Sequence, residues 1–144
     1  MASVFDVAQY ILRKQGGMTT MKLQKLVYYA QAWSLVWDEE PLFDQPIEAW
    51  SNGPVVRELF DAHRGMFMVR EGDIQRGNWH DLTHEQKATI RAVLHAYGGR
   101  SSQWLSDLTH REPPWRDARA ELPDGVRGNR VITHGEMADY YGNL

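Results

Sequence analysis

The chain has 144 residues, 42% hydrophobic and 24% charged, which suits one globular domain with one core and excludes a disordered chain. It has no cysteine, so disulfides, thiolate metal sites and thiol nucleophiles are excluded. A net charge of −3 gives no overall pull towards nucleic acid.

Ser3 is placed to cap a first helix, with Asp6 favoured near its positive end and Val4, Val7, Ala8, Ile11 and Leu12 as the apolar stripe. Gly16-Gly17 ends it. Thr20 then caps the central helix, Thr20 to Trp37, on which the whole chain is organised. Leu23, Leu26, Val27, Ala30, Trp33 and Trp37 recur at helical spacing, and Tyr28, Tyr29, Ala32, Leu35 and Val36 fill most of the remaining circumference. A helix apolar nearly all round is buried among other elements. Lys22, Lys25 and two glutamines interrupt it too often for a bilayer span.

Asp38 to Pro46 is a loop broken by Pro41 and Pro46, with Leu42 and Phe43 tucked inward. From Asp38 to Asp61 there are seven acidic residues against Arg57 alone, so this segment is −6 and the remainder +3. It is read as a solvated loop and argues against a DNA-binding face there. Ile47 to Trp50 is a short strand. Ser51 to Pro54 is a turn into a helix that starts at Pro54, with Val55, Val56, Leu59 and Phe60 as its stripe. Met66 to Val69 is a second strand, expected to pair with Ile47 to Trp50.

Glu71 to Leu82 is the longest irregular stretch and carries Trp79 and His80. Thr83 and Gln86 form a capping box for a helix bearing Ile90, Val93, Leu94 and Tyr97, closed by Gly98-Gly99. Ser101 or Ser102 caps the next helix, with Trp104, Leu105 and Leu108. A short helix follows from Pro114-Trp115 to Glu121. Pro123 to Arg130 is turn-rich, Val131-Ile132 is a third strand, and Thr133 with Glu136 caps a last helix bearing Met137, Tyr140 and Tyr141. The expected fold is mainly α with minor β: one domain over residues 1–144 around the helix at about 20–37, with short strands near 47–50 and 66–69.

The search for chemistry returns little. No glycine-rich phosphate loop, metal-ligand spacing among the six histidines, or G-x-S-x-G elbow occurs. His110 with Glu112 is the one pair worth considering for acid–base work, although a histidine just before Glu-Pro-Pro is better explained by bonds to backbone. A helix-turn-helix reading of Phe5 to Trp37 fails on its second helix, which lacks the polar face a groove requires. No cofactor or metal site is expected from these residues. No export signal or membrane segment is apparent, so the expected location is the cytoplasm.

Four stretches in register carry a resemblance. They are Lys22-Leu23-Gln24-Lys25-Leu26-Val27-Tyr28-Tyr29-Ala30-Gln31; Pro41 to Asp44 running into Ile47 to Trp50; Asn52-Gly53-Pro54-Val55-Val56 with Leu59-Phe60; and Leu105 to His110 with Glu112, Pro114 and Trp115. Together they resemble the Panacea, or SocA-like, antitoxin domain, from about Phe5 to Tyr141. The resemblance implies a mostly helical, non-catalytic protein that neutralises a cognate toxin by direct binding. A protease adaptor of the ClpXP type and a DNA-binding autoregulator are the alternatives, and homo-oligomerisation is left open. Leu23, Leu26, Tyr29, Trp50, Gly53, Pro54, His110, Pro114 and Trp115 are read as its architectural residues. Trp37, Met66, Met68, Trp79 and His80 are the candidates for touching a partner, because tryptophan and methionine give large, adaptable contacts.

Overall fold

A computed structural model describes residues 2–123 and 125–144. The described residues form seven α-helices with two small antiparallel sheets. Helix α1 (Val4–Gln15) and strand β1 (Met18–Thr19) lead into α2 (Thr20–Trp37). Strands β2 (Ile47–Trp50) and β3 (Gly53–Val56) precede α3 (Arg57–His63), and β4 (Met68–Val69) precedes a 3-10 turn (Trp79–Asp81). Helices α4 (His84–Tyr97), α5 (Ser102–Arg111) and α6 (Pro113–Ala118), strand β5 (Val131–Ile132) and helix α7 (His134–Gly142) complete the chain.

Helix α2 is the hub, packing against α1, α4, α5, α7 and β3. Every residue from Leu23 to Ala32 is buried, polar ones included. A backbone fully enclosed this way needs partners for any polar side chain it carries. Gln24 and Gln31, seven residues apart and so on one face, meet that need by bracketing other chain segments. The Gln24 amide accepts from Val56 N (2.9 Å) and donates to Val56 O (3.3 Å). The Gln31 amide accepts from Leu42 N (2.7 Å) and Phe43 N (3.3 Å) and donates to Phe43 O (2.8 Å).

The capping boxes at Thr83/Gln86 and Thr133/Glu136 form as expected, and Ser3 caps α1 as expected, with Asp6 completing a third box by accepting from the Ser3 backbone N–H. The cap of α2 is Thr19, whose hydroxyl accepts from Lys22 N; Thr20 is the first helical residue and bonds Met66 O instead. The helix expected from Pro54 starts three residues later. Gly53 to Val56 is a strand, paired with Trp50 to Ile47 across a two-residue Ser51-Asn52 turn. Proline is tolerated there because β3 is an edge strand. Opposite it, the Ala49 N–H turns away to the Arg130 carbonyl. The expected pairing of 66–69 with 47–50 is also corrected. Met68–Val69 pairs with Met18–Thr19, and β2 takes β5 on its other side. Helix α6 ends at Ala118, short of Glu121. The turn-rich reading of Pro123 to Arg130 includes Asp124, which lies outside the described residues. Among the described residues no helix is long and apolar enough to cross a membrane.

Candidate functional site

The Ser51-Asn52 turn and the residues before it are held from behind by α5 and its continuation. Four consecutive carbonyls each meet a side chain. Ala49 O accepts from Arg119 Nη1 (3.1 Å), Trp50 O from Trp115 Nε1 (2.8 Å) and Asn52 O from Ser106 Oγ (3.0 Å), while His110 Nε2 lies 3.2 Å from Ser51 O. The other nitrogen of His110, Nδ1, faces Ser106 O at 2.5 Å. Both His110 nitrogens thus face backbone carbonyls, and the one that carries the proton donates to its carbonyl. Glu112 faces elsewhere: one of its oxygens accepts from Tyr29 (2.6 Å) and Tyr141 (2.8 Å). Burial, partly offset by these two bonds, raises the pKa of Glu112. Burial likewise drives the Tyr29 and Tyr141 phenols well above their usual range. His110 and Glu112 therefore do not converge on a shared reacting atom.

In front of the turn lies a small well of about 120 Å³, lined by Gln24, Lys25, Trp50, Val55, Phe60 and His63, with Thr20, Met21 and Asn52 at its rim. The Lys25 side chain is only 1% exposed as a residue. Its ammonium has one partner, Pro54 O, at the long distance of 3.4 Å. Among the described residues it forms no ion pair. Burial lowers its pKa to about 8. His63 stacks edge-on to Phe60 and bonds Gln24 (3.0 Å). Burial, with the Lys25 charge adding to it, holds the imidazole below its usual range.

Trp50 and Phe60, edge-to-face at 4.9 Å, also wall a second, larger cavity of about 430 Å³ that holds Arg57, Arg64 and Arg127. Arg57 lies over Trp50 and pairs with Glu48 at 3.1 Å; Arg64 lies over Phe60. Beside the well runs Met66-Phe67-Met68, tied to the start of α2 by Thr20 N donating to Phe67 O (3.0 Å). Phe67 is 77% exposed and Met68 53%.

The five candidate contact residues fall in three places. Met66 and Met68 flank Phe67 at the N-terminal end of α2. Trp37 is at the other end, a rise of about 25 Å along the helix, half-exposed and stacked on Trp33. Trp79 and His80 stack on each other at 3.8 Å over the α1 side, with Arg13 and Lys87 against the indole. Phe67, Lys25 and His63 were not singled out from sequence. Phe67 lay inside a presumed strand and Lys25 inside an apolar helix, where period alone marks neither as special. Leu23, Leu26, Tyr29, Gly53, Pro54, Pro114 and Trp115 are buried, and Trp50 and His110 half-buried. Among the described residues no three His, Asp or Glu side chains are grouped to hold a metal ion.

No curated protein and no solved structure matches the chain. The family model described as "Antitoxin SocA-like, Panacea domain" matches residues 23–116, from the hub helix through the Trp115 anchor and well over half of the chain. Residues before Leu23 and after Arg116 lie outside that match. The matched span contains α2 from Leu23 onward, the β2–β3 hairpin and the Ser106, His110 and Trp115 side chains that hold its turn, and with that span the chain belongs to the SocA-like antitoxin family and carries its Panacea domain.

Proposed function

We propose that the chain is a non-catalytic antitoxin that neutralises a protein toxin by binding it directly. Membership of the antitoxin family carries this reading. Three consecutive exposed apolar residues, Met66, Phe67 and Met68, support it. Monomeric surfaces rarely leave such a run uncovered without a partner to meet it. The commitment of His110 to backbone and of Glu112 to two tyrosines speaks against the acid–base alternative.

The test is co-expression with the product of the adjacent open reading frame. Rescue of growth and co-purification of the two chains are expected; neither occurring overturns the reading. Phe67→Ser is expected to weaken the complex by roughly tenfold or more at an unchanged melting temperature. The toxin's half-life in the same cells separates the modes of action. An unchanged half-life is sequestration, and a shortened one is delivery to a protease of the ClpXP type. Salt-dependent binding to the chain's own promoter would point to autoregulation, which the −3 net charge disfavours.

A further inference from the structure

We infer that the larger cavity, walled by Trp50 and Phe60, is the docking site for an acidic segment of the protein partner. This deepens the antitoxin reading and rests on it for the identity of the partner. Arg57, Arg64 and Arg127 line the cavity, and all three are exposed, so their charges lie where an incoming chain meets them. One of the three is answered within the fold. Both oxygens of Glu48 accept from Arg57 (3.1 and 3.2 Å), and one also accepts from the Trp50 indole (2.9 Å), so this carboxylate is used up in building the wall. Asp61 acts on Arg57 through its charge and forms no ion pair with it. Arg64 and Arg127 form no ion pair among the described residues. The cavity therefore carries two uncompensated positive charges in a chain whose net charge is −3.

Both free charges are set in place by the fold. Arg64 rests over the Phe60 ring, 5.6 Å from its centre, which steadies the guanidinium and leaves its planar fork of donors for an oxyanion. Arg127 is carried by a loop that Arg119 ties down. That residue is 4% exposed, and its guanidinium donates to Ala49 O (3.1 Å), Pro123 O (3.4 Å) and Val126 O. At the far end of the loop, Arg130 O accepts from Ala49 N (2.8 Å). The segment bearing Arg127 is thereby fastened on both sides to β2, the strand that ends in Trp50.

The surroundings select a protein segment as the occupant. The volume of about 430 Å³ would hold a small ligand, but small-ligand pockets are mostly apolar and enclose about 70–90% of their occupant. Here the charged lining consists of exposed side chains. Moreover, the rim runs on from Arg64 through Gly65 into the exposed Met66-Phe67-Met68 run. Tryptophan and arginine beside uncovered apolar side chains are the residues on which interface energy concentrates. A guanidinium fork matches a carboxylate in geometry as well as charge. The complementary surface thus has acidic side chains, one for Arg64 and one for Arg127, next to an apolar patch that meets Phe67.

Two double variants test the site without attacking the frame. Arg64→Gln with Arg127→Gln removes the two charges, and Arg64→Glu with Arg127→Glu reverses them. Melting temperatures close to that of the wild type are expected, because both side chains are exposed. In the first experiment the wild-type chain is titrated separately with acetyl-tetraglutamate amide, its neutral isostere acetyl-tetraglutamine amide, and inorganic phosphate, following the Trp50 indole resonance. Saturable shifts with tetraglutamate over tetraglutamine, lost in the Gln pair, are expected. Equal responses to the two peptides, none to either, or a response to phosphate alone overturns the docking site. So does a wild-type dimer that the Glu pair dissolves, since the occupant is then a second copy of the chain. In the second experiment, affinity and association rate for the co-purified toxin are measured over a range of salt. The Glu pair is expected to weaken binding by roughly 10- to 100-fold, mostly by slower association, and the Gln pair to flatten the salt dependence seen in the wild type. If both variants bind and neutralise as the wild type does, the docking site falls while the antitoxin reading stands. If the wild type itself neither binds nor rescues, the antitoxin reading falls, and the peptide titration still decides whether the cavity takes an acidic segment.

Discussion

Lys25 carries its charge where neither water nor a carboxylate meets it, and that has a measurable cost. Its folded pKa of about 8 lies below the ordinary value of 10.5 because of burial. Below pH 8 both folded and unfolded chains hold the proton, and the burial penalty is fully present. Between 8 and 10.5 the folded state releases a proton that the unfolded state keeps, so stability rises with pH across that window. The full rise is about 3 kcal/mol. Lys25→Met is expected to melt higher than the wild type at neutral pH and to lack this alkaline gain, as thermal unfolding at several pH values will read. Glu112 behaves with the opposite sign. Burial raises its folded pKa above the unfolded one, so stability falls as pH climbs through the interval between them. Glu112→Gln keeps the oxygen that accepts from Tyr29 and Tyr141 and cannot ionise. Relative to it, the wild type is expected to lose melting temperature on going from about pH 4 to about pH 7.

At the scale of elements, the β2–β3 hairpin depends on one backbone position. Gly53 has φ +122°, a region that favours glycine, and a Cβ there would come within 2.5 Å of Lys25 Cε. Gly53→Val is expected to destabilise the domain by about 2 kcal/mol or more, read as a lowered denaturation midpoint. Helix α2 depends on its glutamine brackets. Gln31→Ala would leave Leu42 N and Phe43 O buried without partners, at a loss of about 3 kcal/mol, measurable by the same unfolding experiment. The elements that were legible in the sequence are those whose signals are local. The Ser3 cap, two capping boxes, the apolar period of α2 and the strands at 47–50 and 131–132 all come from side chains a few residues apart. Two readings failed where the deciding contact was distant. Pro54 suits a helix start as well as an edge strand, and only Gln24 holding Val56 settles it as strand. Met68 and Val69 had no local clue that their partner was Met18–Thr19 and not β2. The candidate site was half legible for the same reason. Met66 and Met68 stood out by type, whereas the well joins residues from α2, the hairpin and α3 that no spacing rule connects.

Across the whole molecule, the net charge of −3 conceals an uneven distribution. Lys25, Arg64 and Arg127 gather around the hairpin within a chain that is acidic overall. An acidic partner patch would therefore be oriented by this face more than attracted by the molecule as a whole, and the effect would fade with salt. The run of carbonyls from Ala49 to Asn52 has one further consequence, and it concerns time. Each is secured by a residue 54 to 70 positions later in the chain. A ribosome adding about 5–20 residues per second delivers Arg119 roughly 4–14 s after Ala49. For that interval the nascent chain holds the residues of the well but not the means to fix them. A binding-competent face emerges only when synthesis is nearly finished, so chains interrupted before α6 should be inert towards the partner even though they already contain the hairpin and the exposed Met66-Phe67-Met68 run.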